Sequence, residues 1–168
     1  MNLEESQAPS PMIAMYQALR ARYPKWYVEM GRPHGPGWIP GSALLTAAEG
    51  PFQALLARIG ERLQTADRRT IAASFALRYG WSSGVAMAPY LLYSCVPKIT
   101  PDNVSFTFNE NGSFERAALH HPEGVMLPQH GVAPHPSMQW LSSPQVLFEW
   151  LRTSLVQQAQ PVVDALSA

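Results

Sequence analysis

Cysteine is almost missing from this 168-residue chain: Cys95 stands alone, which excludes an internal disulfide, a four-cysteine zinc site and a self-contained cysteine-ligated iron–sulfur cluster. A lone thiol in a hydrophobic stretch reads as a buried, inert side chain. An excess of either charge is missing too. Twelve basic and twelve acidic residues cancel to a formal net charge of zero, so no global field draws the chain to nucleic acid or to an anionic membrane surface, and a small, local partner is expected. Long apolar runs are also lacking. The longest, Val85 to Tyr93, contains a proline and falls well short of the roughly 20 residues that span a bilayer, so no membrane span is expected. Met1 to Gln7 carries Glu4 and Glu5 with no basic patch leading into an apolar run; the expectation is no secretory signal and a cytoplasmic location. Neither the dinucleotide fingerprint nor the Walker pattern follows a predicted strand, so ATP and NAD are not implied.

What is present is enough apolar content, 46%, for one domain over residues 1–168 with its own core. The sixteen prolines and eleven glycines gather in Pro24 to Pro51 and Pro122 to Pro144, which marks those stretches as loops. Residues 1–50 read as a helix and an irregular crossing. Ser10-Pro11 is a cap followed by proline at the first helical position, Met12, Tyr16, Leu19 and Tyr23 recur at helical spacing, and Pro24 ends the run. Residues 51–95 read as helical. Phe52, Leu55, Leu56, Ile59 and Leu63 form one stripe; Asp67 caps a next helix whose Ile71, Phe75 and Tyr79 share a face; a kinked or broken helix follows Gly80, with Pro89 inside it. Residues 103–127 change to a period of two. Val104, Phe106 and Phe108 alternate with Ser105 and Thr107 up to Asn111-Gly112, the preferred centre of a type I′ hairpin, with Phe114 to Leu119 returning and Val125 to Leu127 adding a short strand. Residues 143–168 open on Ser143-Pro144 and carry Val146, Leu147, Trp150, Leu151 and Leu155 on one stripe, continued past Pro161 by Val162, Val163 and Leu166. That helix reaches Ala168 without a glycine or proline stop, which predicts a chain cut short. The fold class expected is α+β: four to five helices around a small antiparallel sheet containing the hairpin.

Three constellations invite chemistry. His120, His121, His130 and His135 lie near Glu123, but their spacing matches no ligand motif, and adjacent strand residues point to opposite faces, so His120 and His121 do not chelate one ion together; no metal site is assigned. Gly80-Trp81-Ser82-Ser83-Gly84 resembles a nucleophile elbow only superficially, because it joins two helices rather than a strand and a helix. Arg68, Arg69 and Arg78 with the aromatic residues up to Tyr93 admit two readings: a buried helical hairpin with arginines at its rim, or a pocket wall for an anionic aromatic ligand, with guanidinium donors for oxygen atoms and flat aromatic faces.

The block from Arg69 to Tyr93, RTIAASFALRYGWSSGVAMAPYLLY, resembles the central helical region of the FhuF-type ferric-siderophore reductases. In that family it is followed by segments similar to Ile99 to Gly112 and to Gln160 to Leu166, in the same order and at similar spacing, so the resemblance covers about two thirds of the chain. It implies a cytoplasmic protein that takes an imported ferric siderophore as substrate, receives an electron from a donor and reduces the iron, because hard oxygen ligands hold the less charged ion far less tightly. It implies for full-length members a [2Fe–2S] cluster on C-terminal cysteines, two adjacent and two as a Cys-x-x-Cys pair. This chain has none of those four. The expectation is therefore the siderophore-facing region of such a reductase without its cluster, or alternatively a non-enzymatic siderophore-binding module. Arg69, Arg78, Trp81 and Arg116 are the candidate ligand-holding residues, and no residue is assigned as catalytic.

Overall fold

The computed structural model describes residues 9–26, 28–44, 50–129 and 131–167. Helix α1 (Pro11–Arg22) is followed by two short strands, β1 (Val28–Met30) and β2 (Ile39–Pro40), and a helical turn, α2 (Gly41–Leu44). Helices α3 (Pro51–Leu63), α4 (Arg68–Gly80) and α5 (Gly84–Tyr93) come next, then strands β3 (Cys95–Pro97), β4 (Val104–Phe108), β5 (Phe114–Leu119), β6 (Gly124–Met126) and β7 (Met138–Trp140), and the long helix α6 (Pro144–Ser167) closes the order. The fold is α+β, as the sequence patterning requires.

Local chemistry explains most helix starts. The Asp67 carboxylate accepts the backbone N–H groups of Arg69 at 3.3 Å and Thr70 at 3.1 Å, which satisfies two donors that the first turn of α4 leaves unpaired. Val146 N–H donates to Ser143 Oγ at 3.4 Å at the start of α6. Ser10 departs from expectation. Its hydroxyl donates to the Pro122 carbonyl at 3.0 Å and meets Ser137 Oγ at 2.8 Å, so it ties α1 to the far end of the chain, and proline at the first helical position is left to start the helix.

The expected break after Gly80 is a single 3₁₀ turn, Trp81–Ser83, between α4 and α5. Pro89 sits inside α5, where it has no N–H to give the carbonyl of Val85. That carbonyl is taken instead by the Tyr16 hydroxyl, which donates to it at 2.6 Å from α1. A long-range side chain thus replaces the bond that proline removes, and the helix continues.

The strands correct the expected single antiparallel sheet. They form two small sheets, ordered β1-β5-β4-β2 and β3-β6-β7, each mixed: β4–β5, β2–β4 and β3–β6 are antiparallel, while β1–β5 and β6–β7 are parallel. The stretch from Trp26 to Gly50 is therefore not an irregular crossing throughout, since it supplies β1 and β2. The short strand at Val125 to Leu127 does not extend the hairpin sheet. It is β6, at the centre of the second sheet.

The hairpin pairs as expected, but its turn is not type I′. Gly112 alone in the turn has positive φ, +70°, and its N–H donates to the Asn109 carbonyl at 2.9 Å. This is the three-residue loop in which a type I turn ends on a left-handed glycine. Asn109 selects it by accepting the N–H groups of Asn111 and Ser113, each at 3.0 Å, on its Oδ1.

The Phe106 face of the hairpin sheet packs on α3 and α4. Phe52 and Phe75 meet edge to face at 5.1 Å, and Tyr79 meets Phe106 in the same way at 5.8 Å. Burying each phenylalanine contributes about 2–3 kcal/mol relative to leaving it in water. The second sheet packs against α6, whose Leu147, Leu151 and Val162 are buried, and leaves one flank of that helix free.

Candidate functional site

That flank carries Val146, Trp150, Thr153 and Gln157, at the i, i+4, i+7, i+11 spacing that aligns side chains along one side of a helix. Facing it are the segment from Val96 to Thr100 and residues Glu123 to Val125 of the second sheet. Between them runs a cleft of about 870 Å³, within the size range of small-ligand sites. Its walls mix hydroxyls and amides, among them Thr100, Ser137, Gln139 and Thr153, with the indole of Trp150, which is 41% exposed. Among the described residues, three charged ones line it. Lys98 Nζ pairs with Glu123 Oε2 at 3.1 Å, and Glu149 accepts from Arg152 Nε at 2.8 Å.

Of the lining hydroxyls, Ser137 is already engaged. Its Oγ lies 2.8 Å from His135 Nδ1 and 2.8 Å from Ser10 Oγ, and His135 Nδ1 also accepts the Ser137 N–H at 3.1 Å. This knot holds the residue before α1 to the segment that leads into β7.

The histidines separate as strand geometry requires. His120 turns inward: Nδ1 donates to the Asp102 carbonyl at 3.0 Å, which leaves Nε2 to accept the Ser105 hydroxyl at 2.9 Å. His121 is exposed, and its backbone N–H donates to Asn103 Oδ1 at 2.8 Å. His130 lies outside the described residues, as does the side chain of Leu166.

The four residues singled out in the sequence do not converge on this cleft. Arg69 lies exposed in the first turn of α4, and Arg78, nine residues on, falls on the opposite side of that helix, about 13 Å along its axis. Arg78 Nη1 donates at 2.6 Å to both the Asn111 carbonyl and Ser113 Oγ, so it braces the hairpin turn. Trp81 is 75% exposed at the end of α4. Arg116 lies on the outer face of the hairpin sheet, 3.2 Å from Glu29 Oε1 and 5.1 Å over the ring of Trp38. Arg68 and Arg69 thus stand exposed at the start of α4, while Arg78 is half-buried against the hairpin turn. Trp150, Thr153, Gln157 and Lys98, which line the cleft, went unassigned. The signal for Trp150 was present in the sequence. The apolar stripe of α6 is wider than one packing face needs, and Val146 and Trp150 are its surplus.

Cys95 sits buried on β3, and burial pushes its thiol up to about 12. A [2Fe–2S] cluster of the kind the resemblance implies takes four cysteinyl thiolates. One buried thiol held in its neutral form does not fit that group, and the residues of this chain do not supply its ligands.

No family model matches the chain, and no curated protein matches it in sequence.

Proposed function

We propose that the chain binds a ferric siderophore in the cleft between α6 and the second sheet, as the substrate-holding part of a ferric-siderophore reductase acting in the cytoplasm. The observation that carries the reading is the cleft itself: about 870 Å³, lined by hydroxyl and amide groups that hydrogen-bond to an oxygen-rich chelate and by an indole that covers an apolar one. The resemblance of the Arg69 to Tyr93 block supplies the substrate class. Reduction of the bound iron takes one electron from an external donor, and the ferrous ion then leaves a ligand set suited to Fe(III). The alternative, a siderophore-binding module with no reductase activity, is favoured by the single buried cysteine.

The cleft's charges favour one kind of chelate. Lys98 is offset by Glu123, Glu149 is offset by Arg152, and among the described residues neither arginine nor histidine lines the walls. A triply negative ferric tris-catecholate meets no net positive charge there, whereas a neutral ferric tris-hydroxamate loses little by entering. Fluorescence titration with both chelates tests this. We expect saturable quenching by the tris-hydroxamate, at least ten-fold tighter than by the tris-catecholate, and a ten-fold loss of affinity in Trp150→Ala. No binding of either chelate overturns the proposal. Binding that ignores Trp150 and weakens in Arg69→Ala or Arg116→Ala moves the site to the residues singled out in the sequence.

A further inference from the structure

The outer face of the hairpin sheet, turned away from α3 and α4, holds a hydroxyl that the fold leaves unpaired. Strand pairing sets Ser105 opposite Ala118 and Thr107 opposite Arg116, and alternation puts all four on that face, with Glu29 beside Ala118. Ala118, Ser105 and Thr107 are short and form its floor, 0%, 4% and 4% exposed. Glu29, Trp38, Arg116 and His120 rise beside them, and each of these four is partly exposed. Among the described residues the Thr107 hydroxyl has no hydrogen-bond partner. A buried hydroxyl in that state costs about 1–3 kcal/mol, and valine has the same shape without it. Such a group calls for a partner that the fold itself does not supply.

Two residues back along β4, about 7 Å away, Ser105 meets a base. Its Oγ lies 2.9 Å from His120 Nε2, and His120 Nδ1 lies 3.0 Å from the Asp102 carbonyl. A carbonyl can only accept, so Nδ1 carries the ring proton and Nε2 is the nitrogen able to take one from Ser105. Asn103, 5% exposed, holds this histidine in place. Its carbonyl accepts the His120 N–H at 2.9 Å and its Oδ1 the His121 N–H at 2.8 Å, while its Nδ2 donates to the Lys98 and His121 carbonyls at 2.7 and 3.1 Å. Hydroxyl, imidazole and orienting acceptor thus stand in hydrogen-bonded sequence, the arrangement that activates a serine. None of the three lines the cleft beside α6.

We propose that this face is an acyl-transfer site that hydrolyses small uncharged carboxylic esters, with Ser105 as nucleophile, His120 as general base and the Thr107 hydroxyl as donor to the oxyanion. Ser105 Oγ bonds to the ester carbonyl carbon while its proton passes to His120 Nε2. The carbonyl oxygen takes up the negative charge and accepts from Thr107 Oγ1, which gives the unpaired hydroxyl its partner. The bond from that carbon to the alcohol oxygen breaks, and the alcohol leaves with the proton from Nε2. Water then attacks the acyl-serine and gives a proton to Nε2, and the carboxylic acid leaves as Ser105 Oγ takes that proton back. Glu29 and Arg116 offset one another at 3.2 Å, so the rim favours a neutral ester, and the half-exposed indole of Trp38 offers apolar surface to its acyl group. Rotamer changes of the partly exposed rim side chains, fast at a surface, let the ester reach the floor.

The probes are p-nitrophenyl acetate, followed by release of p-nitrophenolate, and a biotinylated fluorophosphonate, located on the full chain by mass spectrometry of the labelled peptide. We expect the fluorophosphonate on Ser105 and saturable ester turnover about a hundred-fold above the same concentration of free imidazole. Ser105→Ala loses the label and falls to the imidazole rate, and His120→Gln lowers kcat about a hundred-fold. Thr107→Val separates catalysis from structure. It lowers kcat by about a hundred-fold with KM held, while its urea midpoint stays level or rises, a pairing that a merely structural hydroxyl does not give. No turnover above imidazole, a label on any other residue, turnover that persists in Ser105→Ala, or a Thr107→Val chain with its full rate each overturns the proposal. Where Ser105→Ala fails to fold, the position of the label on the unaltered chain decides.

Discussion

Arg78 shows how a side chain that looks like a ligand holder is used by the fold. One nitrogen of its guanidinium donates to two oxygens of the hairpin turn, the Asn111 carbonyl and Ser113 Oγ, at 2.6 Å each, so α4 and the turn are fixed to one another. Because hydrogen bonds to a charged group are stronger than neutral ones and this one is partly solvated, Arg78→Ala should lower stability by about 1 kcal/mol. Urea denaturation checks the cost, and the same variant should bind the ferric tris-hydroxamate within two-fold of the parent chain. A larger loss of affinity would return Arg78 to the binding site. Sequence could not show this use, because a backbone carbonyl 33 residues away has no residue type to recognise. Asp67 was readable as a cap, since its acceptors' partners lie two and three residues on. Ser10 stood in an equally good position, yet its partners lie 112 and 127 residues away, and long-range contact won over local propensity.

Strands were readable in proportion to how much of their pattern is local. β4 and β5 together show period-two alternation and an Asn-Gly turn, and they pair as expected; the turn type differs because Asn109, outside the dipeptide, captures two N–H groups. β1, β2, β3, β6 and β7 are two or three residues long, too short for any period, and β1 exists because it finds β5 in parallel almost ninety positions later. The cleft shares this origin. Its walls come from segments that a one-dimensional pattern never sets side by side. Gly124 tests how tightly the second sheet is held behind it. A β-carbon there would lie 2.5 Å from the Val96 carbonyl oxygen and 3.0 Å from Pro97 Cα, both backbone atoms of the partner strand, and 2.7 Å from the end of the Met12 side chain. The methionine can swing away; the strand cannot. Gly124→Ala should therefore destabilise by about 2–3 kcal/mol and, by moving β6 against β3, weaken chelate binding as well. Equilibrium unfolding of this variant decides it, and a loss below about 0.5 kcal/mol would mean the β3–β6 pair yields.

At the scale of the whole molecule, α1, α5 and β3 meet at one buried cluster, Tyr16, Val85 and Cys95, and its titration makes global stability depend on alkaline pH. Burial pushes the Cys95 thiol from 9.0 up to about 12. Burial, and secondarily a thiolate at Cys95, raises the Tyr16 phenol well above its ordinary 10.0. Both groups are neutral in the folded chain and ionise more easily unfolded, so below about pH 9 their contribution is fully present. As pH rises past 9 the unfolded thiol loses its proton while the folded one keeps it to about 12, and each such group removes up to about 1.4 kcal/mol of stability per pH unit. Tyr16 adds its own loss from about pH 10 upward. Urea midpoints measured from pH 7 to 11 should hold steady and then fall. In Cys95→Ala the fall between about pH 9 and 10 should be visibly shallower, because the first group to ionise has been removed. Tyr16→Phe should act differently, costing about 1–2 kcal/mol already at pH 7, since it strands the Val85 carbonyl that Pro89 leaves free, and flattening only the limb above pH 10. A Cys95→Ala profile that falls as steeply as the parent's would show that the alkaline loss arises elsewhere, and would remove the junction of α1 with β3 from its place at the centre of the fold's stability.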